Sequence, residues 1–192
     1  MNSRTMRTDR TSSSAPDRAA LHDAALTYLA RYAATEAGLR RVLERRIERW
    51  ARAANGSDET VAAAKQVAGE IAARLAAAGA VSDSAFAESR ARRLARAGHS
   101  RRAIAAALVA KGVDGETVRR ALPSDETELA SALALARRRR IGPFRAVETL
   151  DAAGQRRELG VLARAGFPQN VARRALAMSP EEAAALVDLM RR

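Results

Sequence analysis

Cysteine is absent from this 192-residue chain, which excludes disulfides, thiolate metal sites and cysteine nucleophiles. Histidine occurs only at His22 and His99, too few for a histidine metal cluster or for a Ser-His-Asp triad with any redundancy. Lysine is as rare, at Lys65 and Lys111, so nearly all of the 34 basic residues are arginine. No run of about 18 uncharged apolar residues exists to span a membrane. Met1 to Arg18 is polar, carries Ser12, Ser13 and Ser14, and has no apolar segment of the secretory-signal kind. Asp9, Asp17 and the lack of an amphipathic stripe argue against a transit peptide. We expect a cytoplasmic protein that begins with a disordered polar tail over residues 1–19.

Large apolar side chains are scarce as well. Hydrophobic residues make up 47% of the chain, but 48 residues are alanine. The remainder, about a fifth of the chain, is near the floor for a globular protein and suits thin helical layers better than one thick core. Aromatics are 3%: Tyr28, Tyr32, Trp50, Phe86, Phe144 and Phe167.

What is present is helical period. Ala, Arg, Leu and Glu all favour helix, and no β-branched runs of the strand type occur. Leu39, Val42, Leu43, Ile47 and Trp50 form one apolar stripe, and Val61, Ala64, Ala68, Ile71, Leu75 and Ala78 another. Shorter stripes follow at Phe86, Leu94 and Ala97, at Ile104, Ala107 and Leu108, and at Val118, Ala121 and Leu122. Gly79, Gly98, Gly112 and Gly166 stand where helices stop. Thr35, Ser57, Asp83, Ser100, Asp114 and Asp125 stand where N-caps fall, and Ser179-Pro180-Glu181-Glu182 combines a Ser cap, Pro at the first helical position and Glu at the third. These signals predict helices over 20–32, 36–53, 58–78, 84–97, 101–111, 115–121, 126–140, 151–165, 169–177 and 180–190.

An internal repeat organises them. Residues 101–122 and 155–176 align at an offset of 54, pairing Leu108 with Leu162, Gly112 with Gly166 and Val113 with Phe167. Arg119-Arg120-Ala121-Leu122 meets Arg173-Arg174-Ala175-Leu176 without a mismatch. Each copy reads as helix, glycine stop, hydrophobic plug and short helix, with a longer helix before it. The pattern over 21–78 reads as a diverged first copy. The expected fold is all-α: tandem three-helix repeats forming an elongated, curved array. The expected divisions are 20–79, 80–123 and 124–178 for the three repeats and 179–192 for an extra C-terminal helix.

No phosphate-binding loop, dinucleotide fingerprint, HExxH or calcium-binding loop is present. Glu44 and Glu48 have arginine neighbours at ordinary helix-surface spacing. His99, beside Gly98 in a predicted turn, fits a capping or solvent role better than catalysis. We expect no enzyme and no cofactor.

The positive signal is arginine placement. Arg40, Arg41, Arg45, Arg46, Arg49 and Arg52 share one helix. Arg90, Arg92, Arg93, Arg96, Arg101 and Arg102 gather around the Gly98 turn, while Arg137, Arg138, Arg139 and Arg140 run uninterrupted. Guanidinium forks match phosphate and carboxylate oxygens. The same side chains also serve as solvated faces, and a run at a helix end complements the helix dipole. As a set, in a chain of net charge +12, they point to an anionic partner, either nucleic acid or a protein that carries it. The aromatics fall at stripe and plug positions, so no platform for stacking bases is visible. The predicted helix over 115–121 is too short, and too poor in arginine at its start, for base readout. Contact directed at a backbone or at a protein fits better.

Ala25-Leu26-Thr27-Tyr28-Leu29-Ala30-Arg31 with Thr35-Glu36-Ala37-Gly38-Leu39-Arg40-Arg41-Val42-Leu43 resembles the opening repeat of RecX regulatory proteins. Val81-Ser82-Asp83-Ser84-Ala85-Phe86-Ala87-Glu88, followed by Ile104, Leu108 and Lys111-Gly112-Val113, resembles their central repeat. Arg164-Ala165-Gly166-Phe167, continuing to Arg173-Arg174-Ala175-Leu176, resembles the third. The likeness spans about residues 20–177. Ser82 departs from the usual acidic residue before Asp83, and Ile141 to Leu150 lengthens the third repeat.

The resemblance implies a bacterial cytoplasmic protein that modulates the RecA recombinase. Such proteins lodge in the groove of the RecA filament on DNA and typically inhibit ATP hydrolysis, strand exchange and coprotease activity. The implied partners are the RecA filament and DNA phosphates, with no membrane, from a monomer. The residues expected at the contact are Arg40, Arg41 and Arg45; Arg90, Arg92, Arg93, Arg96, Arg101 and Arg102; Lys111, Arg119 and Arg120; Arg137 to Arg140; and Arg173 and Arg174. Two other readings remain open: a free-standing helical DNA-binding protein acting as a transcription or nucleoid factor, and a small scaffold for acidic proteins.

Overall fold

The computed structural model describes residues 14–146 and 150–191. Residues 1–13 of the expected tail and residues 147–149 of the 141–150 insertion lie outside the described residues. Among the described residues there are ten α-helices, one 3-10 turn and no strand. None of these helices is long and apolar enough to cross a membrane. The chain divides into two compact units, residues 1–82 and 83–192.

The first unit holds α1 (Arg18–Leu29), α2 (Glu36–Ala54) and α3 (Asp58–Ala77). Asp17, Thr35 and Ser57 cap them, each accepting a bond from an N–H three residues on. Leu39, Leu43 and Ile47 recur every four residues on α2, so they share a face, and all three are fully buried. They pack with Leu21 and Ala25 of α1 and Ala64, Ala68, Ile71, Ala72 and Leu75 of α3. Helix α1 begins within the stretch expected to be tail, because Asp17 caps it. Ala78, expected on the α3 stripe, is instead the exposed C-cap residue.

The second unit opens with α4 (Asp83–Arg96), α5 (Arg101–Val109) and α6 (Gly115–Ala121). The expected stripe of Phe86, Leu94 and Ala97 does not form the centre of α4. Phe86 and Leu94 are half-buried at its flank, Ala97 is exposed, and Ala87, Ala91 and Ala95 are the buried residues. Small side chains at every fourth position let neighbouring backbones approach. At the end of that row, a Cβ on Gly98 would stand 2.8 Å from the Leu135 nitrogen. Gly98 also has φ +81°, so it is required on both counts.

The unit continues with α7 (Asp125–Arg139), a 3-10 turn (Gly142–Phe144), α8 (Ala152–Arg164), α9 (Gln169–Ala177) and α10 (Pro180–Arg191). Ser124 caps α7 and Asp125 is its first residue; Asp83 is likewise the first residue of α4. Both aspartates therefore sit in a first turn, where negative charge meets the positive end of the helix dipole. The two repeat copies have the same turn. Leu108 and Leu162 are fully buried, Gly112 and Gly166 have φ of +86° and +87°, and the plugs Val113 and Phe167 are each 4% exposed. In each, the plug's N–H donates to the carbonyl of that leucine, at 3.3 and 3.2 Å. Ser179 Oγ accepts from Glu182 N–H, and α10 adds Ala183 and Val187 to the core of α7, α8 and α9. The 141–150 segment is anchored by Glu158, whose Oε2 accepts from Gly142 N–H (3.0 Å) and Arg145 Nη2 (2.7 Å).

Candidate partner-binding surface

In the first unit, Arg40 and Arg45 are exposed on α2 and Arg41 is half-buried with its polar group engaged. Arg40 lies 3.5 Å from Glu44, one turn along the same helix. Two cross-helix pairs tie this unit together: Arg18 of α1 with Glu70 of α3, and Lys65 of α3 with Glu48 of α2 (2.7 Å). The Lys65 ammonium holds the Glu48 carboxyl below its ordinary value, and the Arg18 guanidinium does the same for Glu70.

In the second unit, several expected arginines turn out to brace the fold. Arg90 is half-buried, with Nε shielded and without a hydrogen-bond partner. Arg92 pairs with Glu88 at 3.8 Å, Arg101 with Asp125, and Arg137 with Asp188 at 3.2 Å. Arg138 donates to the Ala97 carbonyl at 3.0 Å. By contrast Arg93, Arg96, Arg102, Arg139 and Arg173 are exposed and have no acidic partner within 4.0 Å among the described residues. Arg119, Arg120, Arg140, Arg174 and Lys111 are exposed too; Arg120 reaches back to Thr117 Oγ1 at 3.4 Å. Arg140 itself takes the left-handed turn at the end of α7, with φ +55°.

The turn between α4 and α5 docks on the turn between α8 and α9. Ser100 caps α5 and also donates to the Ala165 carbonyl at 2.8 Å. A Cβ on Gly166 would stand 2.8 Å from Ser100 Oγ, so glycine permits the approach. Across the same junction, Glu128 of α7 accepts from Arg101 N–H at 3.1 Å.

Two open clefts flank this junction. One, of about 530 Å³, is lined by His99, Arg138, Arg139 and Arg164 over a floor of Gly98, Ala103, Leu135, Val161 and Ala165. The other, of about 560 Å³, mixes signs: Arg101, Arg102 and Arg174 face Asp125 and Glu128. The fold thus gathers Arg138 and Arg139 at one cleft and Arg101, Arg102 and Arg174 at the other. Sequence reasoning missed Arg164 and set His99 aside. The available signal was Gly160, a glycine inside a helix one turn before Arg164.

Comparison with known proteins adds the family context. A family profile described as the RecX second three-helix domain matches residues 82–122. The chain is 36% identical over 163 residues to the Regulatory protein RecX of Myxococcus xanthus (strain DK1622), covering 83% of this chain and 86% of that protein. It is 38% identical over 104 residues to the Regulatory protein RecX of Agrobacterium fabrum (strain C58 / ATCC 33970), covering 54% of this chain and 55% of that one. In fold it is similar to the crystal structure of RecX from Lactobacillus salivarius, with a TM-score of 0.58 at 19% identity, over 90% of this chain and 97% of the other.

Proposed function

The chain belongs to the RecX family of regulatory proteins, and from that premise we propose that it binds the RecA–DNA filament and inhibits its ATPase, strand-exchange and coprotease activities. The observation that carries this reading is a group of second-unit arginines, among them Arg93, Arg96, Arg102, Arg139 and Arg173, that face solvent with no carboxylate within 4.0 Å among the described residues. Guanidinium groups not spent on internal pairs are available to phosphate oxygens and to acidic protein surface, both of which a nucleoprotein filament presents. Helices braced by buried leucines and glycine turns hold those groups at fixed spacing, so little ordering is needed on binding. A rigid cationic body seated on neighbouring recombinase subunits opposes the rearrangement that ATP turnover requires. No bond is made or broken by this chain in that scheme.

The test is titration into a RecA–single-stranded-DNA ATPase assay. Inhibition that weakens at least tenfold when Arg93, Arg96, Arg102 and Arg173 are replaced by Ala, with helix content unchanged, supports the reading. If about six cations reach phosphates of the single strand, log affinity falls by roughly four units per tenfold rise in salt. No inhibition by the wild-type chain, together with a site-specific duplex footprint formed without recombinase, would overturn it.

A further inference from the structure

We infer that the cleft lined by His99, Arg138, Arg139 and Arg164 is a seat for a phosphodiester group of a nucleic-acid backbone. This rests on the reading of a nucleic-acid-loaded partner and deepens it.

Charge separates the two clefts of the second unit. They are of nearly equal size, yet one includes Asp125 and Glu128 and the other has no carboxylate in its lining. In the all-basic cleft, Arg138 is held by the Ala97 carbonyl and forms a fixed wall. Arg139 and Arg164 have no acidic partner within 4.0 Å among the described residues, so their guanidinium forks are the anion-binding groups. No Phe, Tyr or Trp lines the cleft, so it has no broad stacking platform and suits the backbone of a nucleic acid better than its bases.

Two further features fit. Helices α4, α7 and α8 all end at this cleft, and bare carbonyl ends would repel an anion. Each end is closed: His99 N–H donates to the Leu94 carbonyl, Ile141 N–H to Ala136, and Phe167 N–H to Leu162. The three guanidinium charges of Arg138, Arg139 and Arg164 then face only residual partial ones. Second, Gly160 lies inside α8, where glycine weakens a helix. A Cβ there would stand 3.1 Å from Arg164 Nη1, so the Arg164 guanidinium lies back against the glycine and would have to shift slightly for a side chain.

The experiment is fluorescence anisotropy of labelled oligothymidylate with the full chain, without recombinase, at about 50 mM salt. Arg139→Ala with Arg164→Ala is expected to lower affinity about tenfold and to flatten the log–log salt slope by about 1.4, at about 0.7 per single-strand contact. Arg102→Ala with Arg174→Ala, in the mixed cleft, is expected to lower it less than threefold. Gly160→Ala is expected to raise the melting temperature while weakening oligothymidylate binding about twofold, opposite signs that a purely structural glycine would not give. If the alanine pair fails to fold by circular dichroism, Arg139→Gln with Arg164→Gln takes its place. Equal losses at the two clefts, or unchanged affinity and slope for the basic-cleft pair, overturn the inference. So does lost ATPase inhibition with unchanged oligothymidylate affinity, which assigns the cleft to the recombinase protein. A wild-type chain that binds oligothymidylate through Arg139 and Arg164 but never inhibits the recombinase overturns the regulatory reading alone.

Discussion

The central row of α2 in the first unit is built on long side chains and that of α4 in the second on short ones. Leu39, Leu43 and Ile47 fill the centre of α2, whereas the equivalent row of α4 is Ala87, Ala91 and Ala95. Their charges differ in the same spirit. Residues 1–82 carry 13 basic and 9 acidic residues, and residues 83–192 carry 21 and 13. In the first unit the carboxylates held below their ordinary range, Glu48 and Glu70, are held there by cations on other helices. In the second, Asp114 and Glu126 are held down by hydrogen bonds at helix starts, from Thr117 for Asp114 and from the Glu126 backbone and Ser124 for Glu126. Helices can thus be joined by filling space or by removing it, and their carboxylates stabilised by charge or by capping.

Three kinds of measurement would break or sharpen that contrast. Largest is Leu43→Ala, which empties a fully buried position in the first unit; we expect a loss of about 3–4 kcal/mol in urea unfolding followed by Trp50 fluorescence. A loss below 1 kcal/mol would mean that this core is not space-filling. Next is Ala91→Leu, adding volume where α4 has none to give. About 2–3 kcal/mol of destabilisation is expected by circular dichroism, and a neutral result would refute close approach as the reason for the alanine row.

The smallest effect is on acid stability. Because Glu48 and Glu70 have folded values below the ordinary 4.5, their contribution is full above that pH and is lost as pH falls through the lowered folded values. Lys65 is raised above 10.5, so its share of the same pair is lost as pH rises past the folded value. Glu48→Gln should shrink the acid-side slope of the Trp50 transition, and 0.5 M salt should mimic it. Asp114→Asn should leave the acid-side slope at 0.5 M salt different from that at low salt by no more than in the wild-type chain, since its stabilisation comes from hydrogen bonds rather than from a cation.

Local signals in the sequence were reliable where the interaction is itself local. All ten helices appear within three residues of the expected bounds, the four glycine stops are left-handed, and Val113 and Phe167 do plug their turns. Each of those features is decided by bonds among residues at most five apart. The buried face of α4 was misread because hydrophobicity ranks Phe86 and Leu94 above alanine, while tertiary packing turns Ala87, Ala91 and Ala95 toward Ile104, Leu108, Val113 and Val118. The Arg145–Glu158 anchor was illegible for a similar reason: nothing near residue 145 announces a partner 13 residues on.

By itself, then, the sequence determined helix, stop, cap and repeat, together with an excess of guanidinium groups, because spacing along one chain suffices for these. Which arginines are spent and which are left free was decided only by tertiary structure. Arg138 meets Ala97, 41 residues away, and Arg164 joins it at one cleft because two turns dock through Ser100 and Ala165. Electrostatic sites depend on distances between side chains on different helices, and only packing sets those distances.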